Sequence, residues 1–223
     1  MKLIFVRHGH PDYEKDCLTE LGHLHGKAVA ERLKDESIDS VYSSTCGRAY
    51  ETALHICERK GLPLSKQLDY MRELNWCPLD GTPDYSIYDP WRIANEMVQN
   101  HESILSPDWV SHEEFSQSKV IGEVEKVAKG IDGFLEKLGY AREGEYYRVK
   151  RANEETVVLV SHGGSSCAAI AHLFNLTFPF MCNVLHLDFT SICEVKFKGA
   201  EGELITPRFG LVNDSRHIEG IKL

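Results

Sequence analysis

Residues 3–10 read LIFVRHGH, in which an apolar run ends in an arginine, a histidine, a glycine and a second histidine. A short continuous apolar run is typical of a strand that is covered on both faces of a parallel sheet. We therefore predict a buried strand over Lys2–Val6, with the polar segment 7–10 at its carboxyl end. The function of that segment depends on whether complementary groups return later in the chain.

Strands and helices alternate along most of the chain. Strands are predicted at IDSVYSS (38–44), around Leu68 and at TVVLVS (156–161), and helices after Thr19, after Thr45, over 119–138 and over 162–174. Thr19 and Thr45 are the predicted N-caps, because a threonine oxygen can accept a hydrogen bond from the first helical turn. The alternation predicts an α/β fold, a three-layer α/β/α sandwich with a mostly parallel central sheet.

The pattern changes from Leu185 onward. The stretch LHLDFTSICEVKF (185–197) alternates apolar and polar residues, and a loop at Gly199–Gly202 and another apolar stretch follow it. Alternation interrupted by a glycine-containing loop is typical of antiparallel strands. We predict an antiparallel hairpin at the edge of the sheet near the C-terminus.

Residues 84–118 fit none of these patterns. They include two tyrosines, two tryptophans and seven acidic residues against one arginine. A long segment with weak periodicity is usually functional or disordered, and the aromatic residues favour a folded segment. We predict that 84–118 is a lid and specificity insertion within a single domain over 1–223. Its carboxylates would repel polyanions, so the substrate is expected to carry few phosphates.

The composition is that of an ordinary globular protein, with 42% hydrophobic and 26% charged residues. The formal net charge of −9 argues against nucleic acid or an anionic membrane as the main partner. No apolar run approaches the roughly 20 residues that span a bilayer. Seven cysteines without a C-x-x-C pair predict reduced thiols in a cytoplasmic protein. The sequence carries no prediction of the oligomeric state.

Basic and histidine side chains follow three predicted strands: Arg7 and His8 after the first, Arg48 in the helix after the second, and His162 and Gly163 after TVVLV. Ligands of open α/β sheets bind beyond the carboxyl ends of the parallel strands, so we expect these groups to converge. Guanidinium groups bind phosphate oxygens in bidentate fashion, and helix N-termini add backbone N–H donors. The sequence therefore predicts a site for a phosphoryl group.

Two further groups complete the predicted chemistry. A neutral histidine can attack phosphorus when a hydrogen bond to its other ring nitrogen fixes the tautomer. Glu73, in YMRELNW just after the predicted strand around Leu68, is the best-placed acid to protonate the leaving oxygen. His10 is expected either to contact the substrate or to line the rim. No metal or cofactor is predicted, and the expected partner is a phosphorylated small molecule or a phosphoprotein.

Four segments resemble, in chain order, the motifs of one family: VRHGH, SSTCGRAYETA, MRELNW followed by LDG, and LVSHGG. The family is the histidine phosphatase superfamily, the phosphoglycerate mutase-like proteins. The resemblance covers roughly residues 1–81 and 155–217 and closes with NDSRHI. It implies that His8 is the phosphorylated nucleophile and Glu73 the proton donor. It also implies a phosphate pocket completed by three residues, which are Arg7, Arg48 and His162.

The chain also departs from the mutase branch of that family. There the residues after RHG typically read like E-x-x-W-N, whereas this chain has HPDYEKD. The common W-E-G after the acid is LDG here, with Asp80 in place of the glutamate. These departures favour a phosphatase that acts through a phosphohistidine. The alternatives are a 2,3-bisphosphoglycerate-dependent phosphoglycerate mutase and, less favoured, an inactive phosphate-binding module.

Two other chemistries are less consistent with these residues. His8, His10 and His162 could bind zinc, but the two neighbouring guanidinium groups would repel a metal ion. The stretch SHGGSS resembles the oxyanion loop of esterases, but the chain holds no G-x-S-x-G nucleophile elbow. The remaining histidines are assigned no chemistry.

Overall fold

The computed structural model describes residues 1–222. Its strands are β1 (Lys2–Arg7), β2 (Pro11–Asp12), β3 (Cys17–Leu18), β4 (Ser40–Ser44), β5 (Leu64–Leu68), β6 (Tyr140–Glu143), β7 (Tyr146–Val149), β8 (Thr156–Ser161), β9 (Ile192–Lys196), β10 (Leu204–Ile205) and β11 (Arg208–Asp214). Its α-helices are α1 (Glu20–Arg32), α2 (Gly47–Lys60), α3 (Pro90–Gln99), α4 (Glu113–Ser116), α5 (Val120–Lys137), α6 (Gly163–Phe174) and α7 (Phe178–Val184). Short 3-10 helices cover Asp69–Met71, Pro107–Ser111 and Arg216–Ile218.

Six strands form the central sheet in the order β11-β9-β1-β8-β4-β5. Strands β1, β8, β4 and β5 are parallel to one another. At one edge β9 runs antiparallel to β1, and the outermost strand β11 runs antiparallel to β9. The mostly parallel sheet and the antiparallel edge hairpin are therefore confirmed. The parallel strands β1, β8 and β4 end at the same edge, and this edge positions the site.

Side chains of β1 alternate between two separate hydrophobic cores. Leu3 and Phe5 pack in one core with α3, α5, α6 and α7. Ile4 and Val6 pack in the other core with α1 and α2. Because successive strand residues point to opposite faces, an uninterrupted apolar run requires cover on both sides. The predicted three-layer α/β/α sandwich is confirmed.

One predicted helix cap is right and the other is wrong. The Thr19 hydroxyl oxygen accepts a hydrogen bond from the Gly22 N–H at 3.1 Å, so Thr19 caps α1 as predicted. Helix α2 begins at Gly47, and the residue at its N-cap position makes no side-chain capping bond. The carboxylate of Asp16, and not the hydroxyl of Thr45, accepts a hydrogen bond from the Gly47 N–H, at 2.9 Å. A hairpin remote in sequence therefore replaces the local cap.

The alternating stretch 185–197 forms a shorter strand than its pattern indicates. Within this stretch only β9 forms a strand, and the residues before it form a loop in which Thr190 has φ of 53°. An additional sheet, β10-β7-β6, was not predicted. Its β6–β7 turn contains Gly144 with φ of 62°, a left-handed conformation that glycine adopts without steric cost.

The insertion 84–118 is folded and packs on the core. Ile93 and Phe115 are fully buried, and α3 begins with Pro90 as its first residue. The carboxylate of Asp89 caps α3 by accepting from two backbone N–H groups, both at 2.9 Å. The Asp-Pro pair is thus a helix-start signal that weak overall periodicity conceals.

No single helix within residues 1–222 is long and apolar enough to cross a membrane. Helices α6 and α7, bent by 120° at their junction, reach that length and composition only together. Most residues of α6 are buried in the core.

The seven cysteines are unpaired thiols, and six of them are buried.

Candidate active site

The carboxyl ends of β1 and β8 bring two histidines together. The strands are parallel neighbours with Arg7 paired to Ser161, so His8 and His162 follow at the same level. Their ring centroids are 5.0 Å apart. Arg48, in the first turn of α2, points its guanidinium Nε toward the His8 Nε2 at 3.4 Å. Three predicted site residues therefore meet at one edge of the sheet.

His8 is held as a neutral ring with one defined tautomer. The side chain is 1% exposed, and its Nδ1–H donates to the Gly9 carbonyl oxygen at 2.7 Å. Burial, followed by the positive charges of Arg7 and Arg48, lowers the pKa of His8 to about 3. With the proton on Nδ1, the Nε2 atom is unprotonated, and its lone pair accepts the 3.4 Å hydrogen bond from the Arg48 Nε–H. An unprotonated ring nitrogen is what a nucleophile requires.

Gly9 lies where the backbone of β1 approaches that of α1. A Cβ at Gly9 would lie 2.6 Å from the Gly22 carbonyl oxygen, which is too close for any side chain. The Gly9 N–H donates to the Thr52 hydroxyl oxygen at 3.0 Å, and Thr52 in turn donates to the Arg48 carbonyl at 2.8 Å. Gly9 thus permits the close approach to α1, and its N–H bonds the His8 loop to α2.

The β2–β3 hairpin orients Arg48. The Arg48 guanidinium donates to the Asp16 carboxylate at 2.5 Å and lies 5.3 Å from the centroid of the Tyr13 ring. The same carboxylate caps α2, so Asp16 fixes both the helix and its arginine. In sequence the segment HPDYEKD indicates only a departure from the mutase pattern, and no role was predicted for Tyr13 or Asp16.

Arg7 presents an unused donor. One terminal nitrogen of its guanidinium donates to the Leu187 carbonyl oxygen, and the guanidinium carbon lies 4.4 Å from the Phe189 ring centroid. Its Nε–H is buried and has no hydrogen-bond partner within residues 1–222. Because a buried donor without a partner is costly, this N–H is placed for an oxygen of a bound ligand.

His162 is fully buried beside His8. Its Nε2 lies 2.9 Å from the Ser44 hydroxyl oxygen, which already accepts from the Cys46 N–H at 3.2 Å. The hydroxyl proton is then free to donate to Nε2, which favours a proton on Nδ1. Burial, followed by the charges of His8 and Arg48, lowers the pKa of His162 well below its usual value. Its Nδ1 has no partner in the described part of the chain.

Glu73 lies at the N-terminus of α6. Its Oε1 accepts hydrogen bonds from the backbone N–H groups of Gly164 at 3.0 Å, Leu74 at 3.1 Å and Ser165 at 3.2 Å. Burial nonetheless raises the pKa of the Glu73 carboxyl above its usual value, against those hydrogen bonds and the charge of Arg7. A raised pKa keeps a larger fraction of the carboxyl protonated, as a general acid requires.

A cleft of about 230 Å³ opens onto Arg7 and Glu73. Its lining residues are Arg7, Tyr13, Glu73, Trp76, Trp91, Gly163, Cys167, Leu185, His186 and Leu187. A second cavity of about 600 Å³ shares Tyr13, Glu73 and Trp76 with it and also touches Arg48. Trp91 belongs to the insertion, so the insertion supplies one wall of the cleft.

The structure brings together all five predicted catalytic residues, Arg7, His8, Arg48, Glu73 and His162, and it places Gly163 in the cleft wall. His10 points elsewhere: its Nδ1 lies 2.9 Å from the Thr19 hydroxyl, and its ring packs on Phe189. His10 therefore lines neither cavity within the described chain. Residues 1–222 contain no group of three or more His, Cys, Asp or Glu side chains that could hold a metal ion.

The family model of the histidine phosphatase superfamily, branch 1, matches residues 3–208. The chain belongs to the histidine phosphatase superfamily. One superfamily relative is phosphoserine phosphatase 1 of Hydrogenobacter thermophilus, 28% identical over 171 residues, which cover 73% of this chain and 71% of the relative. A second is the 2,3-bisphosphoglycerate-dependent phosphoglycerate mutase of Corynebacterium diphtheriae, 26% identical over 199 residues, with 79% and 78% covered.

Two solved structures share the fold of this chain. A phosphoserine phosphatase mutant from Entamoeba histolytica, in complex with phosphoserine, has a TM-score of 0.65 and 21% identity, and 97% of this chain and 98% of that chain are covered. The mycobacterial glucosyl-3-phosphoglycerate phosphatase in complex with VO3 has a TM-score of 0.65 and 21% identity, with 95% and 98% covered. Phosphatases among the superfamily relatives support phosphatase activity, and the mutase alternative is less favoured.

Proposed function

We propose that this protein is a phosphomonoesterase that acts through a phosphohistidine on His8. The observation that carries the proposal is the state of the His8 ring. It is buried and neutral, its Nδ1 proton is fixed by Gly9, and its Nε2 faces the guanidinium of Arg48. Fixed cations beside a neutral nucleophile suit attack on a phosphoryl dianion, because they stabilise charge on the transferring oxygens.

In the first step the phosphoryl group binds between Arg7, Arg48 and His162. Within residues 1–222 the Arg7 Nε–H and the His162 Nδ1 have no hydrogen-bond partner, so both can donate to its oxygens. The Nε2 lone pair of His8 forms a bond to phosphorus while the bond from phosphorus to the ester oxygen breaks. Glu73 gives its proton to that oxygen, and the alcohol leaves.

In the second step water replaces His8 on phosphorus. The Glu73 carboxylate takes a proton from the water, whose oxygen bonds to phosphorus as the N–P bond breaks. The electron pair of that bond returns to Nε2 of His8, and inorganic phosphate leaves. Both steps use side chains of this chain alone, so we propose that the reaction needs neither a metal ion nor a cofactor.

The cleft supports a small phosphorylated molecule as substrate. Outside the phosphate-binding groups its walls are largely aromatic and apolar, with Trp76, Trp91 and Leu187 among them. We propose that residues 84–118 act as a lid on this side of a single domain and select the organic part of the substrate. The unpaired thiols support the proposal of a cytoplasmic location.

The test is phosphate release from a panel of small phosphomonoesters and phosphopeptides, with EDTA present, by wild type and His8→Ala. We expect release by wild type alone, together with an acid-labile phosphoryl group on His8 detected by mass spectrometry after rapid quenching. His23→Ala, which removes a histidine on α1 paired with His55, is the matched control and should retain wild-type rates.

Wild-type rates in His8→Ala would overturn the mechanism. Loss of activity in EDTA, restored by a divalent metal ion, would overturn metal independence. No release by wild type from any substrate would overturn the phosphatase proposal. A bisphosphoglycerate-primed isomerisation assay would then test the mutase, and a negative result in both assays would leave a phosphate-binding module.

A further inference from the structure

One loop holds the guanidinium of Arg7. The Leu187 carbonyl accepts from it, and the Phe189 ring lies beneath it at 4.4 Å. Within residues 1–222 Arg7 forms no salt bridge with a carboxylate, so these two contacts set the direction of its guanidinium. A guanidinium over the face of an aromatic ring is attracted by the negative charge of that face. The loop 187–191 therefore determines where Arg7 points.

The Phe189 ring also packs against the histidines around the nucleophile. Its centroid lies 5.9 Å from that of His8, 5.4 Å from that of His10 and 6.2 Å from that of His25. The ring thus supports the two consecutive residues at the end of β1, the arginine and the nucleophile, from one place. Removal of the ring would leave space into which both side chains can move.

Thr190 adopts a strained backbone that aims Phe189. It is fully buried and has φ of 53°, which is a steric outlier for a β-branched residue. Such strain persists only where the surrounding structure over-determines the conformation. The Thr190 N–H donates to the His8 carbonyl at 3.3 Å, and the Arg7 N–H donates to the Ser191 carbonyl at 3.3 Å. The strained residue is thus bonded directly to the phosphate-binding end of β1.

Residues 213–217, which we name the C-terminal clasp, hold this loop from the other side. The Asn213 side chain accepts from the Asp188 N–H at 2.9 Å and donates to the Asp188 carboxylate at 3.1 Å. The Ser215 hydroxyl donates to the same carboxylate at 2.9 Å. The His217 Nε2 lies 3.1 Å from the Thr190 hydroxyl oxygen. Three clasp side chains therefore bind the two residues that flank Phe189.

The clasp is itself fixed to the body of the protein. The buried carboxylate of Asp214 accepts from the Arg32 guanidinium at 3.2 Å and from the Arg216 Nε at 2.7 Å. Arg32 lies at the end of α1, so the clasp is attached to a core helix. The contacts form one continuous path from α1 through the clasp and the loop to Arg7.

We propose that the C-terminal clasp sets the position of Arg7 through Phe189, which is a positioning residue for the phosphoryl group. The proposal rests on the proposed function in one respect, namely that Arg7 binds phosphate. It assigns a role to the NDSRHI segment, which neither the phosphate pocket nor the cleft uses.

The test measures the Kd of inorganic phosphate by titration calorimetry, which requires no turnover. Phe189→Leu keeps most of the apolar volume and removes the ring. Asn213→Gly keeps a backbone that tolerates the observed φ of 50° and removes both side-chain bonds to Asp188. We expect each variant to raise the Kd about tenfold, the usual scale for loss of one well-placed charged hydrogen bond. Val212→Ala, an exposed neighbour on β11, is the matched control and should bind as wild type does.

The decisive measurement repeats both substitutions in an Arg7→Ala background. If they act through Arg7, each should change the Kd less than twofold there, because no guanidinium is left to position. A general structural role would give the full tenfold loss in both backgrounds and would overturn the proposal. Wild-type Kd values in both single variants would also overturn it.

Asn213→Gly keeps the test decisive if Phe189→Leu does not fold by circular dichroism. Failure of the clasp proposal can be distinguished from failure of the proposed function. A wild type that binds phosphate but releases none from any ester would overturn the phosphatase and leave the clasp proposal to be judged by the Kd values.

Discussion

The Oε1 atom of Glu73 accepts a hydrogen bond from the backbone N–H of Gly164 at 3.0 Å. One carboxyl oxygen therefore caps α6, while Oε2 has no hydrogen-bond partner within residues 1–222 and belongs to a side chain that lines the cleft. The positive end of the helix favours the charged carboxylate, but burial outweighs it and the pKa is raised. The same contact thus holds Glu73 in place and leaves one oxygen to exchange a proton with the substrate.

Glu73→Gln should lower the rate by an amount that depends on the leaving group of the substrate. The amide keeps an oxygen for the Gly164 and Ser165 N–H groups but cannot donate an acidic proton. We expect kcat to fall about 10²- to 10⁴-fold for alkyl phosphates, the usual contribution of a general acid. The loss of phosphorylation rate for 4-nitrophenyl phosphate should be far smaller, since that leaving group needs no proton.

Steady-state and burst kinetics on both substrate classes measure this difference. Asp80→Asn, which changes an exposed carboxyl in the segment after the acid, is the control and should match wild type. Equal losses for the alkyl and nitrophenyl esters would contradict the assignment of Glu73 as proton donor.

The dependence of kcat on pH should reflect the ionisation of Glu73 rather than that of His8. The raised pKa of Glu73 means that its proton is lost, and kcat for alkyl phosphates falls, as pH rises through that value. The pKa of His8 is about 3, so the nucleophile remains neutral across about pH 4 to 9 and contributes no acid limb there. The check is kcat against pH for wild type and Glu73→Gln. An alkaline limb that persists in the variant would show that another group supplies the proton.

Trp91→Ala should weaken selection of the organic part of the substrate. The indole Cζ2 of Trp91 lies 3.9 Å from the place a Cβ would occupy on Gly163, so the insertion reaches the phosphate end of the cleft. We expect KM for aryl phosphates to rise about tenfold, as loss of a buried aromatic contact commonly does. The Kd of inorganic phosphate should stay within twofold of wild type.

Val98→Ala, an exposed position on the same helix α3, is the control for Trp91 and should leave both constants unchanged. An increase in the Kd of inorganic phosphate equal to the increase in KM would place Trp91 in phosphate binding instead of selection.

Two glycine substitutions should have opposite effects on stability. In Gly9→Ala the new methyl group would lie 2.6 Å from the Gly22 carbonyl, so the backbone must move and the His8 loop with it. We expect a loss of about 1 to 3 kcal/mol in the free energy of unfolding, together with loss of activity. Gly133→Ala on α5 meets no atom within 4 Å and should gain about 0.5 to 1 kcal/mol through helix propensity. Urea denaturation measures both, and a stable, active Gly9→Ala would contradict the close approach.

The sequence predicted the sheet, and the meeting of five candidate site residues at one of its edges, because the relevant signals are local. The apolar run before Arg7 and the one before His162 mark two strands, and parallel strands place their carboxyl ends at one edge. Arg48 and Glu73 follow the two other parallel strands of the same sheet. Topology alone therefore brings these groups together.

The contacts that refine the site join segments distant in the chain and leave no periodic signal. Asp16 caps a helix that begins 31 residues later, which displaced the predicted cap at Thr45. Thr190 interrupts an alternating pattern because its backbone N–H is bonded to His8 and its hydroxyl contacts His217 of the clasp. Trp91 reaches the cleft only because α3 packs on α7, and no property of its neighbours in sequence indicates that packing.

Strand β1 is bonded on both sides, to β8 and to β9, and its apolar side chains are shielded from water by helices on both faces. Its amide protons should therefore exchange with deuterium only when the whole molecule unfolds, whereas the largely exposed chain between residues 75 and 89 should exchange by local opening. The cleft can then fluctuate open beside Trp76 to admit or release a ligand while the nucleophile stays still. Loss of a competent His8 would require global denaturation, so thermal inactivation and thermal unfolding should occur at the same temperature.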